Sequence, residues 1–141
     1  MKKIYLNLFL ILFGQCVFAQ EVKTYLYKGT IDKMPVTLYL IENISGCPST
    51  TYEGMYKYDK ISNWLQLEIS DDEDKKLVMV ENRITGILSL KKQNNSLNGY
   101  WISPDGNKKL NVQLKEVPLT NKIKEELEDK FEKVNYENHD C

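Results

Sequence analysis

SLNGYWISPDGNKKLNVQLKE, residues 96–116, carries the signals that decide the fold. Before its centre, Leu97 and Trp101 share one side with Gly99; after it, Leu110, Val112 and Leu114 alternate with Asn111 and Gln113. A period of two is that of a strand with one buried face. Between the two segments, Ser103-Pro104-Asp105-Gly106 reads as a turn, with proline preset for the first corner position and glycine free to take a positive φ. The stretch predicts two antiparallel strands joined by a tight turn.

The same alternation runs upstream. Val36, Leu38 and Leu40 alternate with Thr37 and Tyr39, and Leu65, Leu67 and Ile69 alternate with Gln66 and Glu68. Polar and turn-forming residues separate the segments at 32–35, 58–60, 71–74 and 93–96. Eight strands are expected, near 23–31, 36–44, 51–58, 64–70, 76–82, 84–92, 96–102 and 108–116. Links this short favour an antiparallel meander.

A hydrophobe-x-Gly-x-hydrophobe pattern occurs around Gly29, Gly54, Gly86 and Gly99. Glycine weakens a flat strand, so four in the same register mark sharp bends or close crossings, as in a tightly curled sheet. After Pro118, Ile123, Leu127, Phe131 and Val134 form one apolar stripe at helical spacing. Thr120 or Asn121 can cap that helix, and Glu125 and Glu126 suit its early turns. The expected fold is all-β: an eight-stranded antiparallel meander curled into a small barrel, plus one C-terminal amphipathic helix near 121–134 that docks on the barrel.

Lys2 and Lys3, an apolar run from Ile4 to Phe13, and Val17-Phe18-Ala19 follow the order of a secretory leader. Residues 1–19 are therefore read as a cleavable signal peptide and 20–141 as one exported domain, periplasmic or extracellular. About ten apolar residues are too few to span a bilayer, so no transmembrane helix remains after cleavage. The alternative is a lipid anchor through Cys16, but Gln15 stands where such signals carry a small residue. Cleavage removes two lysines and no acid, taking the formal charge from −1 to −3. A mildly acidic chain without a basic stripe argues against nucleic acid as a partner. In an oxidising compartment Cys47 and Cys141 could form one disulfide, stabilising the fold by about 4–5 kcal/mol in the chain-entropy model. Two free thiols are the alternative.

An exported eight-stranded meander followed by one helix resembles, in architecture, the lipocalin-like barrels, which bind small apolar molecules inside and pack a C-terminal helix outside. Their Gly-x-Trp tripeptide sits on the first strand; here Gly99-Tyr100-Trp101 lies on the seventh. The short strands around Tyr52-Glu53-Gly54-Met55-Tyr56, Ile84-Thr85-Gly86-Ile87-Leu88 and Asn98-Gly99-Tyr100-Trp101 look closer to small uncharacterised exported β-barrel proteins of Gram-negative bacteria. That resemblance implies a location and a fold, and no activity.

No catalytic residues are expected. Cys47 with His139 would need a fixed cleft around both, and His139 falls in an expected tail. There is no Gly-x-Ser-x-Gly elbow, and a serine triad would need the same histidine. Glu42, Glu53, Glu68 and Glu81 fall on expected strands. Glu81 is in register with Leu77 and Met79, but its place at a strand end favours emergence to water or pairing with Arg83, the single arginine. Asp71-Asp72-Glu73-Asp74 lacks the glycine and distal glutamate of a calcium loop, and no Cys/His set suits zinc, so no metal or cofactor is expected.

The aromatic residues remain. Tyr52, Tyr56 and Trp101 follow the glycine face and are expected inside as ligand-binding residues; Tyr58 is expected near the rim. Their bland reading is a filled interior. Two non-enzymatic functions follow: a carrier barrel for an unknown apolar small molecule, or a protein-interaction module with a filled barrel, such as an inhibitor or a scaffold bound to an envelope protein. An enzyme would instead bring several ionisable groups together in a pocket.

Overall fold

The computed structural model describes residues 21–45, 50–72 and 74–139. The strands are β1 (Glu21–Ile31), β2 (Met34–Ile44), β3 (Thr50–Tyr58), β4 (Leu65–Asp71), β5 (Lys76–Glu81), β6 (Ile87–Gln93), β7 (Ser96–Ile102) and β8 (Lys109–Val117). A helix, α1 (Asn121–His139), follows them. Each strand pairs antiparallel with the next, and β8 returns to β1 from Leu26 opposite Val117 to Ile31 opposite Val112. The sheet is thereby a closed eight-stranded barrel, as the alternation, the short links and the mid-strand glycines together predict.

Side-chain parity determines what fills it. Tyr27, Ile31, Val36, Leu38, Leu40, Tyr56, Leu67, Leu77, Met79, Leu88, Leu90, Leu97, Val112 and Leu114 form one buried cluster. In every strand they keep to one alternation, which an eight-stranded barrel turns inward and packs solid. Burying a leucine-sized side chain is worth about 1.5–3 kcal/mol, so this interior is the main source of stability.

The mid-strand glycines have a steric reason. A Cβ at Gly29 would overlap the backbone carbonyl of Gln113, and one at Gly99 that of Ser89. The curled wall brings neighbouring backbones closer than an L side chain allows. The third copy of the glycine pattern behaves differently. β6 begins at Ile87 rather than 84, because Asn82–Ile84 form a 3₁₀ turn, so Gly86 lies before the strand.

Outside the barrel, Leu26, Tyr39 and Met55 form a second buried cluster with Leu127 and Val134 of α1, while Trp64 and Phe131 pack against its edge. The Thr120 hydroxyl accepts from the Ile123 amide at 3.4 Å and caps the helix. Gln66 and Asn135 are joined at 2.7 Å, and Gln66 and Asn138 at 2.9 Å, tying α1 to β4. Two expectations change here. The helix runs past 134 to His139, so that residue closes a helix instead of lying in a tail, and Ile123 stays 37% exposed at the edge of the stripe.

Among the described residues no helix is long and apolar enough to cross a membrane. The leader at 1–19, Cys16, and the Cys47–Cys141 pairing lie outside the described residues.

Candidate functional site

An antiparallel meander sends its connections alternately to two ends. The mouth carries the β2–β3, β4–β5 and β6–β7 connections, and the base carries the other four. At each end, inward-facing positions turn from apolar to polar.

At the mouth the change occurs one residue pair above the core. Glu42 has the parity of Leu38 and Leu40, Lys92 that of Leu88 and Leu90, and Tyr25 that of Tyr27. Tyr25 donates to Glu42 Oε2 at 2.7 Å, and Tyr52 donates to Oε1 at 3.3 Å. The Lys92 ammonium lies 3.8 Å from Glu42 Oε2 and 4.3 Å from the centre of the Tyr25 ring. Ion pair and cation–π contact hold the lysine across the opening. Together with Lys23, Lys75, Leu77 and Asn94 these residues line an open cup of about 340 Å³. That volume falls in the ordinary range for small-ligand sites.

The mouth is electrostatically strained in a useful direction. Burial, then the Glu42 carboxylate, holds the Tyr25 hydroxyl above the usual tyrosine range; the same causes, with Asp71, push Tyr52 up to about 12. Both remain neutral donors at any physiological pH. Tyr27 is fully buried, and its hydroxyl has no hydrogen-bond partner among the described residues. Burial raises its pKa too, followed by the charges of Glu116 and Glu42 and by Tyr52. A buried hydroxyl without a partner costs about 1–3 kcal/mol, and native proteins hold few of them.

The base of the barrel is closed by a second polar cluster. Glu81 is only 4% exposed. Its Oε1 accepts from the Tyr56 hydroxyl and, at 2.7 Å, from Trp101 Nε1, while Oε2 accepts from the Thr85 hydroxyl at 2.6 Å. The strand-end reading of this residue is thus corrected: Glu81 meets neither water nor Arg83. β5 still pairs at this position, opposite Leu67, so the period of two turns Glu81 inward. Gly86 leaves the room, since a Cβ there would collide with the Trp101 indole nitrogen and with Glu81 itself. Burial, then the bond to Glu81, raises the Tyr56 pKa strongly, which keeps the Tyr56 hydroxyl a neutral donor.

Tyr56 and Trp101 therefore meet at the base through Glu81, whereas Tyr52 stands at the mouth. Tyr56 and Leu67 belong to one packed cluster with Leu88, and Tyr52 and Trp101 pack against it. Tyr58 is half-buried, its ring edge-on to Tyr56 at 5.7 Å. Glu53 and Glu68 sit directly opposite one another on β3 and β4, on the outer wall. At the acidic hairpin, Asp72 accepts from the amides of Asp74 and Lys76 at 3.0 and 2.9 Å and closes its own turn.

Sequence reasoning named Glu42 and Tyr52 without joining them and passed over Tyr25 and Lys92. The signal that unites them is parity: each continues the inward alternation of its strand beyond the last aliphatic residue. No protein-family model matches the chain, and no curated protein or solved structure matches it.

Proposed function

We propose that this chain is an exported binding protein without chemistry of its own, and that the mouth cup holds one small polar ligand. The observation that carries this reading is the open cup around Glu42, whose carboxylate accepts from Tyr25 and Tyr52 and pairs with Lys92. A ligand with both donor and acceptor groups would share Glu42 and Lys92. Tyr25 and Tyr52 would supply rigid ring walls at small entropic cost. The solid interior argues against an apolar cargo held in the barrel's centre, so the ligand is assigned to the rim instead.

Nothing near the cup resembles a reaction centre. Its carboxylate is already engaged by two hydroxyls and a lysine, and its tyrosines are held neutral, so they are weak acids and offer no phenolate as a base.

Native mass spectrometry of the protein as isolated from exporting cells tests the proposal. A bound small molecule is expected on the wild type and absent from Glu42→Gln and Lys92→Met. An empty wild-type protein, or a ligand retained by both variants, would overturn it. The filled barrel also favours a second reading, an interaction module acting through its outer surface; in that case the wild type carries no small molecule and a partner protein co-purifies.

A further inference from the structure

Exposed lysines that no run of sequence groups together share one wall of the barrel. Lys76 on β5, Lys91 on β6, Lys109 and Lys115 on β8, and Lys28 on β1 all have outward parity, opposite to that of the core residues beside them. No aspartate or glutamate has outward parity on β5, β6, β7, β8 or β1. The acids of these strands, Glu21, Glu81 and Glu116, share the parity of the core. The outward acids of the barrel, Glu53 and Glu68, belong to β3 and β4, beside α1. The adjoining turns place Asp32, Asp72, Asp74 and Asp105 at the ends of the strands, and among the described residues none of them pairs with a wall lysine. On a chain whose formal charge is −1, this wall is a local positive surface.

Strand register arranges the lysines in two rows. One runs Lys76, Lys91, Asn98, Gln113 and Thr30, each directly opposite the next on its neighbouring strand. The other runs Gln93, Ser96, Lys115 and Lys28 in the same way. Lysine thus faces lysine twice. Like charges directly opposite one another destabilise a sheet, and an anion lying over them removes that cost. None of these lysines forms an ion pair among the described residues. Lys28 and Lys115, with Thr30, Ser96, Asn98 and Gln113, line a shallow trough of about 400 Å³ that crosses β1, β8 and β7.

The groups between the lysines identify the occupant. In both rows they are amides and hydroxyls, which donate and accept as sugar hydroxyls do. A bilayer interface would need aliphatic side chains among the cations, and the two rows contain none. Single-stranded nucleic acid would need successive aromatic platforms for its bases. The outward positions of this wall offer one aromatic ring, Tyr100, and the Lys109 ammonium covers it 3.7 Å from its centre.

We propose that this wall binds an acidic polysaccharide, with its anionic groups over the Lys76–Lys91 and Lys115–Lys28 pairs and its hydroxyls on Ser96, Asn98 and Gln113. Lysine serves as a point charge for carboxylate or sulfate alike. The site lies on the side of the barrel, separate from the mouth cup, and stands whether or not the cup holds a ligand.

Retention of the protein as isolated from cells on immobilised polygalacturonate, dextran sulfate and neutral dextran tests this. Wild-type protein is expected to be held by an acidic polymer and not by neutral dextran, and to be released by about 0.5 M salt as screening shortens the reach of the lysines. The acidic polymer that holds it at higher salt tells carboxylate from sulfate. Combining Lys91→Glu with Lys115→Glu should weaken binding by about tenfold or more, a few-fold for each basic residue lost from an anionic contact. Both side chains are exposed, so the circular dichroism spectrum should not change. Lys133→Glu, at an exposed position of α1, should bind as wild type. No retention on either acidic polymer, equal retention on neutral dextran, or full retention of the double variant would overturn the proposal. So would tighter binding of an oligothymidylate through Lys91 and Lys115, which would assign the wall to nucleic acid.

Discussion

Replacing Glu81 by alanine tests whether the base cluster organises this barrel. The substitution strips the acceptor from Tyr56, which is 1% exposed, and from the half-buried Trp101 indole. Each orphaned buried donor costs about 1–3 kcal/mol, and the one lost methylene adds about 1 kcal/mol. Thr85 is exposed and can turn to water, so it adds little. The expected loss is about 3–7 kcal/mol, a large share of the 5–15 kcal/mol that typically stabilises a native protein. Glu81→Gln is the informative partner. It keeps an oxygen for Tyr56 and Trp101 and offers Thr85 an amide donor that its hydroxyl can accept, so it should cost only about 1 kcal/mol, the charge-assisted share of the bonds. Urea unfolding followed by far-ultraviolet circular dichroism measures both, given an unchanged slope with denaturant. An alanine variant within about 1 kcal/mol of wild type would mean that water reaches these groups and that the cluster is not buried. A glutamine variant as damaged as alanine would mean that the charge itself, not the acceptor geometry, holds the base together.

Two further outcomes follow from the same packing. Tyr27, Tyr39 and Tyr56 are buried, and burial raises their pKa values, that of Tyr39 to about 12. Unfolded tyrosine titrates near pH 10, so the stabilisation is complete below about pH 10 and is lost as pH rises from there through the folded values. Each such tyrosine contributes a slope of up to about 1.4 kcal/mol per pH unit; equal urea midpoints at about pH 9 and pH 11 would contradict this. Gly99→Ala should cost about 3 kcal/mol, because its Cβ would overlap the Ser89 carbonyl across β6 and β7, whereas Asn98→Ala on the outer wall should stay near neutral. Equal thermal stability of the two variants would show that the wall can widen at Gly99.

Most of the strand order was legible in the residues because a half-buried strand must alternate and a meander needs short turns. Val36-Leu38-Leu40 and Leu110-Val112-Leu114 face the interior as their alternation requires. Where β5 passes to β6, the local pattern misled. Ile84-Thr85-Gly86-Ile87-Leu88 has the look of a strand start, but the chain must first cross over Glu81 and Trp101, and the left-handed pair Arg83 and Ile84 makes that crossing. Backbone conformations of this kind are imposed by surrounding contacts, so an isoleucine there carries no local sign of them. Glu81 was misread for a related reason. A carboxylate at a strand end normally reaches water, and only three donors from β3, β7 and the following turn make its burial tolerable.

Alternation, turn chemistry and the helical stripe by themselves determined an eight-stranded antiparallel barrel with a helix on its wall, since each is a local property of neighbouring residues. Only the tertiary structure decided what meets what at the two ends. Tyr25, Glu42, Tyr52 and Lys92 come from β1, β2, β3 and β6, and at the base Tyr56, Glu81 and Trp101 come from β3, β5 and β7. Closure of β8 onto β1 gathers such groups into a ring, and distances across a ring depend on strand register and curvature, which no single segment contains.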